Sequence, residues 1–222
     1  MYNKDSRVAD IALSHPLILP LLNRFLLHPG FGDETVAQAC WRVETSADFF
    51  LAVVNTYVDD GYFPEDTLRS AGRESLKLYL LRTDDYYTTV QIPNIERHFF
   101  SLLKRSEGMD NNLDMILRFF NELHAGVDQR SAFDHEAVCS ALEDNGTPLT
   151  PEQLQRLREI DESVEDKVAD LVSFFVIHLR GDYDRNLCTG VIVAASQLAT
   201  DIRKTNRIRR RILYPQLEAS QR

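Results

Sequence analysis

Residues 113–134 read LDMILRFFNELHAGVDQRSAFD. Leu113, Ile116, Phe120, Leu123 and Val127 recur at spacings of three and four, which places them as one stripe on one face of an α-helix. The stripe does not stop where its apolar residues stop. The same spacing continues to Arg130 or Ser131, then to Asp134, Val138 and Ala141. A helix whose apolar face must be buried thus carries charge on that face, and both fold and function turn on this feature.

Outward from this stretch, nearly every segment has the same helical period, and no run alternates convincingly enough for a strand. The expected class is all-α. From about Thr67 four long amphipathic segments follow one another, separated by Ser106-Glu107-Gly108, by Asp144-Asn145-Gly146-Thr147-Pro148 and by Arg180-Gly181-Asp182. Short connections favour antiparallel neighbours, so the spacing predicts an up-down-up-down four-helix bundle. Thr150-Pro151-Glu152-Gln153 marks the third helix start with a capping threonine, a first-turn proline and a glutamine three residues on. Pro93 falls inside the first long helix and is expected to kink it.

The part before residue 64 is built from shorter pieces. Val8, Ile11 and Ala12 form a small apolar face, Ser14 is a candidate cap for a helix over about 16–27, and Pro20 should kink that helix. Asp33 is the expected cap of a helix containing Val36 and Cys40, and Thr45 or Ser46 of one containing Phe49, Phe50 and Val53. Asp59 to Pro64 reads as a boundary, giving a small N-terminal helical domain, 1–63, and a larger unit, 64–222.

Composition narrows the function classes. With 25 Lys+Arg and 34 Asp+Glu in 222 residues, the net charge is 25 − 34 = −9, and the 44% hydrophobic content is that of a globular chain. An acidic chain does not neutralise phosphates, which makes nucleic acid an unlikely main partner. No stretch suits a membrane span and the start, Met1 to Arg7, lacks the apolar region of a signal peptide, so the expected location is cytoplasmic. Cys40, Cys139 and Cys188 are too scattered for a disulfide framework or a zinc knuckle.

The charges on apolar stripes are the candidate functional residues. The first helix carries Asp84 at the stripe margin, the second Arg130 and Asp134, the third Asp161, and the fourth Arg209 one turn after Thr205. Buried ions are costly unless paired or bound to a metal, and the expectation is that the three acids face the two arginines. The competing account is a helical phase wrong by one position, with these charges solvated.

A resemblance enters through Val8-Ala9-Asp10-Ile11-Ala12, Pro16, Phe25, Gly32, Thr35-Val36, Ala37 and Cys40, and through Leu78 to Tyr87, Ile92-Pro93 and Ile212-Leu213-Tyr214-Pro215. On these residues the chain resembles the hemerythrin-like proteins concerned with repair of iron centres, in which a short N-terminal helical domain precedes a four-helix diiron bundle. Gly30-Phe31-Gly32-Asp33 and Phe50 to Asn55 are similar to a bacterial branch of hemerythrin-like proteins. The departures matter more. Pro29-Gly30 stands where that family has adjacent cysteines, and its iron ligands, His and Glu, are replaced by Asp84, Arg130, Asp134, Asp161, Thr205 and Arg209. Arginine has no lone pair to give a metal, so neither metal nor cofactor is expected.

Other constellations are weaker. His124 and Asp128 are four apart, a spacing common by chance, and Gly30-Phe31-Gly32 lacks the strand-loop-helix context of a phosphate loop, so it reads as a turn between helices. The run Arg203 to Arg211 is the one basic concentration; it reads as a solvated helix end with Arg209 turned inward. The resulting expectation is a non-enzymatic, degenerate, metal-free hemerythrin-like protein acting as a regulatory or protein-interaction module, with the N-terminal helices as a partner-binding or dimerising surface. The alternative is a metal-binding protein of iron-centre repair or of oxygen or nitric-oxide stress response, with Asp84, Asp134 and Asp161 holding a cation. A nucleic-acid regulator working through the basic run is the third.

Overall fold

The computed structural model describes residues 1–219. All regular elements among them are helical, with β-type pairing confined to isolated bridges at Arg7–Thr35 and Asn111–Gly181. The protein is all-α. No helix among the described residues is long and apolar enough to cross a membrane.

The chain divides into two compact units. One comprises Met1–Thr83, Cys139–Pro148 and the described residues from Ile208 to Ala219; the other comprises Asp84–Val138 and Leu149–Arg207. The first segment of the first unit runs to Thr83, and two later segments compact with it.

In the first unit, α1 (Val8–Ser14) is followed by a 3-10 turn (Pro16–Ile18) and α2 (Leu19–Arg24). The single helix expected over about 16–27 is therefore replaced by two short elements. Ser14 ends α1 and caps nothing, and Pro20 opens α2 within its first turn, where its missing N–H is an orphan in any helix. Leu26 takes a φ of 60°, which ends the helix. The α3 helix (Val36–Arg42) is capped by Thr35, not by Asp33: the Thr35 hydroxyl accepts from the Gln38 N–H while the Gln38 side chain accepts from the Thr35 N–H. The α4 helix (Ala47–Val58) starts at Ser46, whose hydroxyl accepts from the Phe49 N–H. After it come α5 (Glu65–Ser70) and, past Gly72 at a φ of +84°, α6 (Arg73–Tyr86). The start expected near Thr67 thus falls in a separate short helix. Phe25 centres this unit's core, its ring 5.1 Å from Phe50 and 6.1 Å from Phe49.

The remaining helices are α7 (Ile92–Arg105), α8 (Leu113–Phe133), α9 (Cys139–Ala141), α10 (Pro151–Ser173), α11 (Arg185–Ile208) and α12 (Tyr214–Ala219). Thr150 and Gln153 cap α10 reciprocally, with Pro151 in its first turn. Single π-helical turns, at Tyr87–Gln91, Asp134–Val138, Phe174–His178 and Arg209–Leu213, interrupt or end the long helical runs. The first lies directly before Pro93. A proline ring clashes with the carbonyl four residues back, and the wider turn opens the helix there.

The second unit's core draws on four helical segments: Ile95, Phe99 and Leu102; Ile116, Phe120 and Leu123; Val164, Val168 and Leu171; Val191, Leu198 and Ile202. Burying each such side chain stabilises by roughly 1.5–3 kcal/mol. Phe99 is the central contact, its ring 5.9 Å from Phe120 and 5.3 Å from Phe175. Gly126 sits against Val164, where an added Cβ would lie 3.3 Å from a Val164 methyl carbon.

Candidate functional site: a buried polar layer

All six residues singled out by the apolar stripes are buried. Asp84, Arg130, Asp134, Asp161 and Thr205 lie in the second unit and Arg209 in the first. The account in which these charges are solvated is therefore removed. Arg130 is fully excluded from water (0% exposed).

Arg130 is the hub of the layer. Its Nη2 lies 3.5 Å from Asp84 Oδ1, and the centre of its guanidinium sits 5.1 Å from the centroid of the Tyr87 ring. At 3.5 Å the first contact is an ion pair at the outer limit of a hydrogen bond; the second uses the negative face of the aromatic ring. The Tyr87 hydroxyl continues the chain, 3.2 Å from Thr205 Oγ1. Beside it, Asn206 Nδ2 donates to the Asp161 carbonyl oxygen at 3.0 Å and to Glu165 Oε2 at 2.9 Å. Acid, base, ring and hydroxyl thus form one connected set in a low-dielectric interior, where each contact is stronger than in water.

The backbone is adapted to this layer. The π turn Tyr87–Gln91 begins three residues after Asp84, and the π turn Asp134–Val138 begins on Asp134 itself. A π turn shifts the helical ladder, and hydroxyls take up acceptors beside it: Thr88 Oγ1 donates to the Asp84 carbonyl at 2.9 Å and Thr89 Oγ1 to the Asp85 carbonyl at 2.6 Å. Such turns cluster at functional sites.

Among the described residues no group of three or more His, Cys, Asp and Glu is placed to hold a metal ion. Cys40, Cys139 and Cys188 are buried free thiols; burial pushes Cys40 up to about 12 and raises Cys188, so both resist forming the nucleophilic thiolate. His124 pairs with Asp128 at 3.7 Å on the surface, as chance spacing suggests. The glycines of Gly30-Phe31-Gly32 take φ values of 104° and 56° in the connection between α2 and α3.

Several buried polar groups escaped the sequence reading, Arg24, Lys204 and Asn206 among them. Arg24 in the first unit is almost fully buried, with Nη1 3.4 Å from the Tyr57 hydroxyl and 3.5 Å from Thr83 Oγ1. It carries the same signal as Arg130, a cation inside an apolar stripe (Leu21, Leu22, Phe25), but in a helix too short for the period to stand out. Lys204 and Asn206 are buried inside the basic run, so that run is less solvated than its composition implied, although Arg203, Arg210 and Arg211 are exposed. Arg211 pairs with Glu65 at 2.8 Å and lies 4.0 Å over the Phe63 ring, which gives this part of the run a role within the first unit.

No known protein family, curated protein or solved structure matches the chain.

Proposed function

We propose that the second unit is a degenerate, metal-free hemerythrin-like bundle with up-down-up-down helices, and that the protein is a non-enzymatic regulatory or protein-interaction module. The burial of Arg130 between the Asp84 carboxylate and the Tyr87 ring carries this reading. A guanidinium stays protonated and donates no lone pair; at the heart of a bundle it repels a cation and balances the acids that would otherwise bind one. The antiparallel arrangement has support from paired contacts: Phe119 stacks on Phe174 while Arg156 lies over Phe133, and Tyr87 meets Thr205 while Gln91 donates to the Ala194 carbonyl. In each pair of segments, a later residue on one meets an earlier residue on the other.

Elemental analysis with an optical spectrum tests this directly. Protein purified from cells supplied with iron, zinc and manganese should hold far less than one equivalent of any of them and show no ligand-to-metal charge-transfer band. Stoichiometric metal that survives dialysis would overturn the reading in favour of a metalloprotein with Asp84, Asp134 and Asp161 as ligands.

A further inference from the structure

We infer that the groove around Trp41 is a docking site for an extended segment of a partner protein that presents an arginine side chain. This rests on the interaction-module half of the reading above and supplies its surface and chemistry. The groove, of about 940 Å³, lies within the first unit and is lined by Phe31, Asp33, Glu34, Ala37, Trp41 and Arg42, with Gln38 beside them. Ala37 and Trp41 are one helical turn apart on α3, so they share a face. Trp41 is the only tryptophan of the chain and is 83% exposed. A large, stiff ring with a polar edge, left in water beside a second aromatic, is the residue type that most often anchors a protein interface.

The charges around the ring choose the partner. Arg42 is paired with Glu34: Nε and Nη2 donate to the two oxygens of Glu34 at 2.9 and 2.8 Å. Asp33 is held differently. Its side chain is 93% exposed and takes one bond at 3.0 Å from Arg7, whose other donors fork onto Asp10 at 2.8 and 2.9 Å. One cation is thus shared by two carboxylates, and the set Arg7, Asp10 and Asp33 keeps a net charge of 1 − 2 = −1. The Glu34–Arg42 pair is neutral, so the groove margin as a whole is negative beside an open indole face. A planar guanidinium fits both features, stacking on the indole while it pairs with the free side of the Asp33 carboxylate. Phosphate-bearing ligands are repelled by the same charge.

Because Trp41 is the sole tryptophan, its emission in the full-length protein reports on this groove alone. Blocked heptapeptides of alanine and glycine carrying two arginines, two glutamates or two norleucines serve as probes. The arginine peptide should change the emission saturably, with half-saturation below about 1 mM. It should weaken at least about fivefold when salt rises from 0.05 to 0.5 M, as expected for exposed charges. Asp33→Asn should weaken it about fivefold, and Trp41→Ala, followed by calorimetry, at least about tenfold; both side chains are largely solvated, so both variants keep the fold. No saturable change with the arginine peptide, or an equal change with the glutamate or norleucine peptide, overturns the inference. Metal analysis of the same preparation separates the two ideas: metal-free protein that ignores the arginine peptide sinks the groove and spares the bundle reading, and metal-loaded protein that binds it does the reverse.

Discussion

Two arginines of this protein form ion pairs under opposite conditions. Arg42, on the surface of the first unit, grips Glu34 with two bonds of 2.8 and 2.9 Å, whereas Arg130, buried in the second unit, reaches Asp84 across 3.5 Å. By geometry the surface pair is the better one. Energetically the order reverses, because water and salt compensate for the loss of an exposed pair, while a buried charge stripped of its partner has nothing to replace it. Distance alone does not rank the two.

The largest expected effect comes from breaking the buried pair on one side only. Arg130→Met should destabilise by about 3–5 kcal/mol, because it removes the cation beside the buried Asp84 carboxylate. In a chain of this size that corresponds to a melting temperature lower by about 6–20 °C. The comparison sharpens with a second substitution. Arg130→Met combined with Asp84→Leu removes both charges and should be less destabilised than Arg130→Met alone, because apolar replacement of a buried pair costs less than removing one partner. Denaturant titration of the two variants decides this; a double variant no better than the single one would mean that charge compensation is not what Arg130 supplies.

A smaller effect belongs to Tyr87→Phe. The ring under Arg130 stays and the hydroxyl contact with Thr205 is lost, so about 1 kcal/mol is expected in the same titration. A loss as large as that of Arg130→Met would make the hydroxyl, and not the guanidinium, the hub of the layer.

The smallest effects lie at the surface. Arg42→Met should move the melting temperature no more than substitutions of other exposed side chains do. The Glu34–Arg42 pair nevertheless has a pH signature. The Arg42 guanidinium holds the Glu34 carboxyl below its ordinary value of 4.5. A carboxyl with a depressed folded pKa contributes stability that is fully present above the unfolded value and lost as pH falls through the folded one. Any advantage over Glu34→Gln should therefore be seen at pH 7 and shrink as pH falls below the ordinary carboxyl value of 4.5 in paired thermal melts. An advantage that survived at low pH would point to packing by the Glu34 side chain.

Much of this organisation is legible from residue order. The helical period identifies an all-α chain, the glycine-bearing connections at Ser106-Glu107-Gly108 and Arg180-Gly181-Asp182 fall where helices end, and Ser46 and Thr150 cap as their spacing suggests. The charges placed on apolar stripes are in fact buried. Other features escape a fixed-period reading. The π turns at Tyr87–Gln91 and Asp134–Val138 shift the helical ladder, which no average spacing contains. Between Pro16 and Leu27 two prolines and the left-handed Leu26 break one apparent helix into a 3-10 turn and a short helix. Arg24 was missed because a six-residue helix is too short to display a stripe.

The sequence by itself determined which residues go inside, because burial follows from periodic apolar spacing along a single helix, a property of neighbours three and four residues apart. Only the tertiary structure decided which buried groups meet: that Arg130 takes Asp84 on one side and the Tyr87 ring on another, and that Tyr87 reaches Thr205 from 118 residues away. Partner choice depends on the distances and rotations between helices, which no single helix encodes. The same holds for Trp41, whose 83% exposure depends on what packs beside α3 and not on its own helix.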